Sequence, residues 1–155
     1  GYLTGSYVRD KDGVDGAYMI CEMFSYYATR GISLLDKLDE LYKTYGYCLN
    51  TLHSYEFDGS AGFARMQSIM QAFRGGIKEF GGKKVVRLLD YVQGLDGLPK
   101  SDVLKFLLED NCSLVVRPSG TEPKLKIYIS VSAENKEMAE EVEDEIAKTA
   151  EKWIC

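Results

Sequence analysis

The stretch Arg117-Pro118-Ser119-Gly120-Thr121-Glu122-Pro123-Lys124-Leu125-Lys126 lies between two runs that read as strands, Leu114-Val115-Val116 before it and residues 125–131 after it. It gathers a guanidinium, two hydroxyls, a glycine and two ammonium groups. That is the donor set a phosphate dianion requires. Arginine offers a planar fork that bonds two oxygens at once. Ser119 and Thr121 add short neutral donors. Gly120 is expected to take a positive φ, so that successive N–H groups turn toward one anion. The same residues also make an ordinary hairpin loop, stiffened by Pro118 and Pro123 with its basic side chains in solvent. Composition alone does not separate these two readings.

Outward from the loop, the following run is the cleanest strand of the chain. Leu125, Ile127, Ile129 and Val131 alternate with Lys126, Tyr128 and Ser130, a period of two that gives one apolar face and puts Lys126 on the other. Three more strands precede it, over residues 84–92, 103–109 and 112–117, with Asp110-Asn111 as a tight turn between the last two. Before them, Phe63, Met66, Ile69, Met70 and Phe73 recur at helical spacing, with Ser60 as the expected cap and Gly75-Gly76 as the stop. The last segment is a helix with Met138, Val142, Ile146, Ala150 and Trp153 on one face and acids on the other. These elements predict a two-layer α+β fold, a four-stranded antiparallel sheet with two helices on one face.

The N-terminal part is different. Asp12 can cap a helix carrying Val14, Ala17, Tyr18, Cys21, Phe24 and Ala28, which Gly31 stops. Ser33 and Asp36 form a capping box for a second helix with Leu34, Leu35, Leu38, Leu41, Tyr42 and Tyr45, ended by Gly46. This helical hairpin cannot bury two apolar stripes by itself. Residues 47–58 read as an extended connector with a possible strand near 52–57, which sets the expected domain boundary between 51 and 52.

Bulk properties exclude several classes. The 155 residues suffice for one domain and a little more. The segment 134–152 holds eight acids against three bases, which accounts for the whole net charge of −5. A nucleic-acid partner needs a broad basic face, and none is present. No apolar run approaches the length of a membrane span. The chain opens on Gly1-Tyr2-Leu3 without an initiator Met or a leader pattern, which predicts a fragment of a longer protein and a cytoplasmic location. Cys21, Cys48, Cys112 and Cys155 are scattered, and with His53 the single histidine no metal-ligand spacing arises. Four reduced thiols are the expectation. His53 has no Asp, Glu or Ser at motif spacing.

The loop resembles the C-terminal phosphate-binding loop of the α-D-phosphohexomutases, the family of phosphoglucomutases, phosphomannomutases and phosphoglucosamine mutases. A second stretch agrees. Gly1-Tyr2-Leu3-Thr4-Gly5-Ser6-Tyr7-Val8-Arg9-Asp10-Lys11-Asp12-Gly13-Val14 is similar to the segment after the sugar-binding loop of the family's third domain, most closely in the bacterial phosphoglucomutase/phosphomannomutase branch. The resemblance implies that 1–51 is the end of the third α/β domain and that 52–155 is the C-terminal phosphate-binding domain. It implies a phosphotransfer between C1 and C6 of a hexose phosphate, through a glucose 1,6-bisphosphate-type intermediate. It implies that Arg117, Ser119, Gly120, Thr121 and Lys126, or Lys124 in place of Lys126, hold the phosphate not being transferred. Lys11 lies near the substrate in the same pattern, and the C-terminal domain acts as a lid. The family's phosphoserine and its Mg²⁺-binding loop have no counterpart in these residues. This chain is therefore expected to hold no metal and to be inactive without the other mutase domains. The choice among glucose, mannose and glucosamine phosphate rests with the family's sugar-binding loop, which these residues do not include. The rival reading is a non-catalytic module binding an anion or peptide, with the helical hairpin as a dimerisation arm.

Overall fold

A computed structural model describes residues 3–7, 9–59 and 61–154. It divides into two compact units, Gly1–Tyr45 and Gly46–Cys155.

In the first unit the local signals in the sequence are satisfied. Helix α1 spans Gly13–Ala28, and the Asp12 carboxylate accepts hydrogen bonds from the Val14 and Asp15 N–H groups. Helix α2 spans Leu34–Tyr45. Its capping box is reciprocal. The Ser33 hydroxyl accepts from the Asp36 N–H at 3.0 Å, and the Asp36 carboxylate accepts from the Ser33 N–H at 3.2 Å. The apolar stripes, however, stay uncovered. Val14, Tyr18, Phe24, Leu35, Leu38, Leu41 and Tyr45 are all exposed, and Gly16 is the one buried residue of the two helices.

The second unit is an antiparallel sheet with the order β1-β6-β5-β4-β3-β2. Its strands are β1 (Tyr47–Glu56), β2 (Glu79–Phe80), β3 (Lys83–Asp90), β4 (Leu104–Leu108), β5 (Ser113–Pro118) and β6 (Lys124–Ala133). Helices α3 (Ala61–Arg74) and α4 (Lys136–Glu151) cover one face. The α+β class and the two covering helices agree with the sequence, but the sheet has six strands rather than four. Strand β1 is unbroken from Tyr47 to Glu56 and pairs with the whole of β6. The division between units therefore falls at Gly46, and position 51 lies inside a strand. Its pattern was weak for a physical reason. Thr51 and His53 face the covered side, where an apolar residue is expected, and Leu52 faces outward at 53 % exposure. The inward polar pair is satisfied by helix α4. The Thr51 hydroxyl donates to Glu143 Oε1 at 2.6 Å, and His53 Nε2 lies 2.7 Å from the same oxygen. Strand β2 has two residues, too few for any alternation.

The core is built from alternate residues of the strands: Leu104, Phe106 and Leu108 on β4, Leu114 and Val116 on β5, and Leu125, Ile127, Ile129 and Val131 on β6. Helix α3 adds Met66, Ile69, Met70 and Phe73. The rings of Phe73, Phe80 and Phe106 pack with centroids 5.1–6.3 Å apart, spacings at which aromatic pairs attract beyond their burial. The Ser60 cap expected for α3 lies outside the described residues. In α4, the expected inward residues Met138 and Trp153 are 45 % and 42 % exposed. Ile146 and Ala150 are buried as expected and Val142 packs against the core, and Ala139, Ala147 and Ile154 join them. Small alanines let the helix approach the sheet closely. The approach is close at the β2–β3 turn. A Cβ on Gly81 would stand 2.6 Å from the backbone of Glu145 and Ile146, at a φ of +54°. The Asp110-Asn111 turn is as expected, with φ of +54° and +55° at its two central residues, the signature of the hairpin turn that matches strand twist.

The C-terminal end of α3 is tied to the sheet by Arg74. Its Nε donates to Asp90 Oδ2 at 2.8 Å and its Nη2 to Asp102 Oδ1 at 2.6 Å. Asp90 and Asp102 stand at the two ends of the loop joining β3 to β4. The guanidinium beside Asp90, helped by the Val92 N–H, holds the Asp90 carboxyl below its ordinary value of 3.8. A folded-state pKa below the unfolded one contributes stability above the unfolded value, and that contribution is lost as pH falls through the folded value. The stability difference between the natural chain and Asp90→Asn, read from urea midpoints, is expected to hold from neutral pH to about pH 5 and to shrink below 3.8. A difference that persists unchanged through strong acid contradicts this assignment.

Candidate functional site

The β5–β6 hairpin places the loop. Its register pairs Arg117 with Lys126 and Pro118 with Leu125. Because Leu125 and Ile127 are buried, alternation sends Arg117 and Lys126 to the face away from the core. Two like charges opposite each other on one face of a sheet are unfavourable by themselves. Among the described residues, neither Arg117 nor Lys126 has a carboxylate within ion-pair distance. Lys124 is different. Its ammonium lies 2.8 Å from Glu56, its cross-strand partner, and 3.8 Å from Glu122. The hydrogen bond with Glu56 raises the Lys124 pKa and lowers that of Glu56. The charge of Lys124 is thus answered within its own strand pair, and Glu122 turns toward that lysine.

Residues 119–123 are held by short backbone bonds. The Ser119 N–H donates to the Lys124 carbonyl and the Lys124 N–H to the Glu122 carbonyl, each at 2.7 Å. The Ser119 hydroxyl oxygen accepts long hydrogen bonds from the Thr121 and Glu122 N–H groups, at 3.4 and 3.3 Å, and keeps its own proton to donate. Gly120 departs from expectation, since its φ is not positive. The turn therefore does not need a glycine at position 120 for its φ. A Cβ at Gly120 would meet nothing within 4 Å, so the space in front of this peptide is open.

A cleft of about 380 Å³ lies on that open side. Its walls are Arg117, Pro118, Ser119 and Gly120 from the loop, Phe63, Met66 and Gln67 from α3, and Ser101 and Asp102 from the approach to β4. Arg117, Ser119 and Gly120 are thus brought together, while Thr121 and Lys126 lie beside the cleft rather than on its wall. Gln67, Ser101 and Asp102 carry no sequence signal, because only the packing of α3 and the β3–β4 loop brings them to Arg117. A neighbouring cleft of about 260 Å³ is lined by Glu56, Phe57, Asp58, Glu122, Pro123 and Lys124. Three carboxylates against one ammonium make it a poor place for an anion. A groove of about 490 Å³ lies between the end of α3 and the end of α4 and contains none of the expected residues. Lys11 belongs to the first unit. It is exposed on the segment before α1, and its N–H donates to the Asp10 carboxylate at 2.7 Å. Among the described residues, no group of three or more His, Cys, Asp and Glu side chains is arranged to hold a metal ion. No described helix is long and apolar enough to cross a membrane.

Comparison with known proteins shows the family. The family model for the phosphoglucomutase/phosphomannomutase C-terminal domain matches residues 57–149. A phosphoglucomutase of Staphylococcus aureus (strain MSSA476) is 37 % identical over 147 residues, covering 87 % of this chain and 26 % of the relative. A phosphoglucomutase of Staphylococcus saprophyticus is 31 % identical over the same length. The chain therefore spans about a quarter of the curated relatives it matches. In fold it is similar to the crystal structure of the exocytosis-sensitive phosphoprotein pp63/parafusin, a phosphoglucomutase from Paramecium, in its open form. The TM-score is 0.59 at 17 % identity, over 96 % of this chain and 27 % of that one. The family match covers more than half of the chain and includes the whole loop from Arg117 to Lys126, and by it the chain belongs to the phosphoglucomutase/phosphomannomutase family.

Proposed function

We propose that this chain is the C-terminal part of a phosphohexose mutase that moves phosphate between C1 and C6 of a hexose phosphate. In this reading, residues 117–126 hold the phosphate that is not being transferred. The observation that carries it is the cross-strand pair of Arg117 and Lys126, two cations opposite one another with no carboxylate in ion-pair distance among the described residues. Such a pair costs stability when empty and becomes favourable around a dianion. Arg117 supplies two N–H donors from its fork, and Lys126 adds charge. The Ser119 and Thr121 hydroxyls donate their protons, and the Gly120 backbone completes the cradle. Lys124, answered by Glu56, is the weaker candidate. Lys11 is proposed to lie near the substrate, and residues 1–45 to be the end of the mutase's third domain.

Phosphoryl transfer depends on orientation and charge stabilisation more than on covalent chemistry from the protein. A cradle that grips phosphate rather than sugar accepts either end of a bisphosphate intermediate, so the intermediate can turn around between the two half-reactions. A contact made only when the domain closes also couples closure to substrate, which is the proposed lid role. Mg²⁺ belongs to the whole cytoplasmic enzyme in this reading. The described residues do not fit it, and no step here runs through it.

In the complete enzyme, Arg117→Ala is expected to lower kcat/KM about 10- to 100-fold, the loss of a charge-assisted pair of hydrogen bonds. An unchanged kcat/KM removes Arg117 from the site. Gly120→Ala separates ligand contact from folding. With open space at the Cβ and no positive φ, the substitution is expected to leave stability unchanged or raise it by about 0.4–1 kcal/mol. Substrate affinity is nevertheless expected to fall, because a methyl group then stands where the anion approaches the backbone. A variant that binds substrate as tightly as the natural chain contradicts backbone contact at Gly120.

A further inference from the structure

We infer that Lys105 is a third cation of the phosphate site: it stands on the same sheet face as Arg117 and Lys126, one strand further in, and adds its charge to the field at the anion they hold. The inference rests on reading Arg117 as the phosphate ligand. The strand register carries it. Lys105 on β4 pairs with Val115 on β5, and Arg117 follows Val115 by two residues. Leu104 and Phe106, on either side of Lys105, are buried in the core. Alternation therefore turns Lys105 to the face away from the core, as it turns Arg117 and Lys126. Diagonal neighbours on one sheet face stand about 7–8 Å apart, still within reach of long side chains. Lys126, Arg117 and Lys105 thus form a row across the adjacent strands β6, β5 and β4, on the face that the helices leave uncovered.

The strand neighbours of Lys105 on that face offer it no carboxylate. Directly across stand Val115 on β5 and Leu89 on β3. Along its own chain the nearest residues on the same side are Val103 and Leu107. Its diagonal neighbours within the strands are Arg117, Ser113 and Arg87. Among the described residues, Lys105 has no carboxylate within ion-pair distance, and it is nevertheless half-buried. Lys83, Lys124 and Lys148, by contrast, are each paired with an acid. A half-buried ammonium among apolar side chains and two arginines costs stability in the empty protein. A dianion at Arg117 and Lys126 relieves that repulsion, because it attracts all three cations at once. In a chain of net charge −5, this row is a local reversal of sign. Lysine suits the outer place in it. Its ammonium is a compact charge on a flexible stem, so it acts at a distance without the fixed geometry of a guanidinium.

The test measures affinity for inorganic phosphate by titration calorimetry at low and high salt, and thermal midpoint in parallel, in this 155-residue chain. The variants are Arg117→Ala, Lys105→Gln, Lys105→Arg and Lys78→Gln. The last removes the same charge from the groove between the ends of α3 and α4. Lys105→Gln is expected to weaken phosphate binding about three- to tenfold at about 0.01 M salt, the order for one unit charge acting across a sheet surface. The loss is expected to fall below about twofold at about 1 M salt, where the screening length is about 3 Å. Its thermal midpoint is expected to stay or rise, since a repulsion is removed; a merely structural lysine does not combine lost affinity with kept stability. Lys105→Arg keeps the charge and is expected to keep the affinity, and Lys78→Gln is expected to leave it unchanged. The inference is overturned by a Lys105→Gln affinity within about twofold of the natural chain at low salt. It is equally overturned by a loss that salt does not diminish, by Lys105→Arg as weak as Lys105→Gln, or by an equal loss in Lys78→Gln. If Lys105→Gln does not fold, Lys105→Met carries the same comparison. Arg117→Ala distinguishes the two levels of the argument. An unchanged affinity there overturns the phosphate reading itself and this inference with it. A loss there with no effect at Lys105 overturns this inference alone.

Discussion

The register between β5 and β6 is the constraint on which the site depends. Leu125, Ile127, Ile129 and Val131 must all enter the core, and a slip of one residue would turn all four to solvent. That apolar demand fixes which residues stand opposite one another and so sets Arg117 against Lys126 on the other face. The core thus does the work of positioning, and the charge pair is a consequence. The same strand carries the contrast that gives the site its polarity. At Lys124 the neighbouring strand β1 places a glutamate across from the ammonium. At Lys126 it places Ser54. Two residues apart on one face, Lys124 is answered by a glutamate and Lys126 stands across from a serine.

The loop beyond this pair is rigid through its own bonds rather than through burial. Short backbone hydrogen bonds close residues 119–124, and the Pro123 carbonyl accepts from the Phe57 N–H. A loop closed in this way is preorganised, so in the proposed reading little ordering entropy is lost on binding an anion. Its glycine is placed for access.

The two units show different degrees of legibility in the sequence. In the first, every signal that acts over a few residues is realised: the Asp12 cap, the Ser33 and Asp36 capping box, and the helical periods themselves. What covers the exposed stripes is not encoded locally. In the second unit, β6 and the Asp110-Asn111 turn were readable because period two and a left-handed pair of residues are local properties. Strand β1 was not, because Thr51 and His53 interrupt its apolar face. Their partner Glu143 is 90 and 92 residues away. The inward face of α4 was readable at Val142, Ile146 and Ala150, but not at its two ends, where Met138 and Trp153 stay exposed and Ala139 and Ile154 are buried. At the site, the donor set from Arg117 to Lys126 stood in one stretch of sequence. The cleft walls at Gln67, Ser101 and Asp102 arise only from tertiary packing.

Amide-resolved NMR titration of the 155-residue chain with inorganic phosphate, and separately with glucose 1-phosphate, tests the central claim most directly. The account requires shifts concentrated on residues 117–126, largest at Ser119, Gly120 and Thr121, and similar for the two ligands because the cradle grips phosphate rather than sugar. Shifts absent from this loop at millimolar ligand, or centred on the acidic cleft around Glu56 and Lys124, would contradict it.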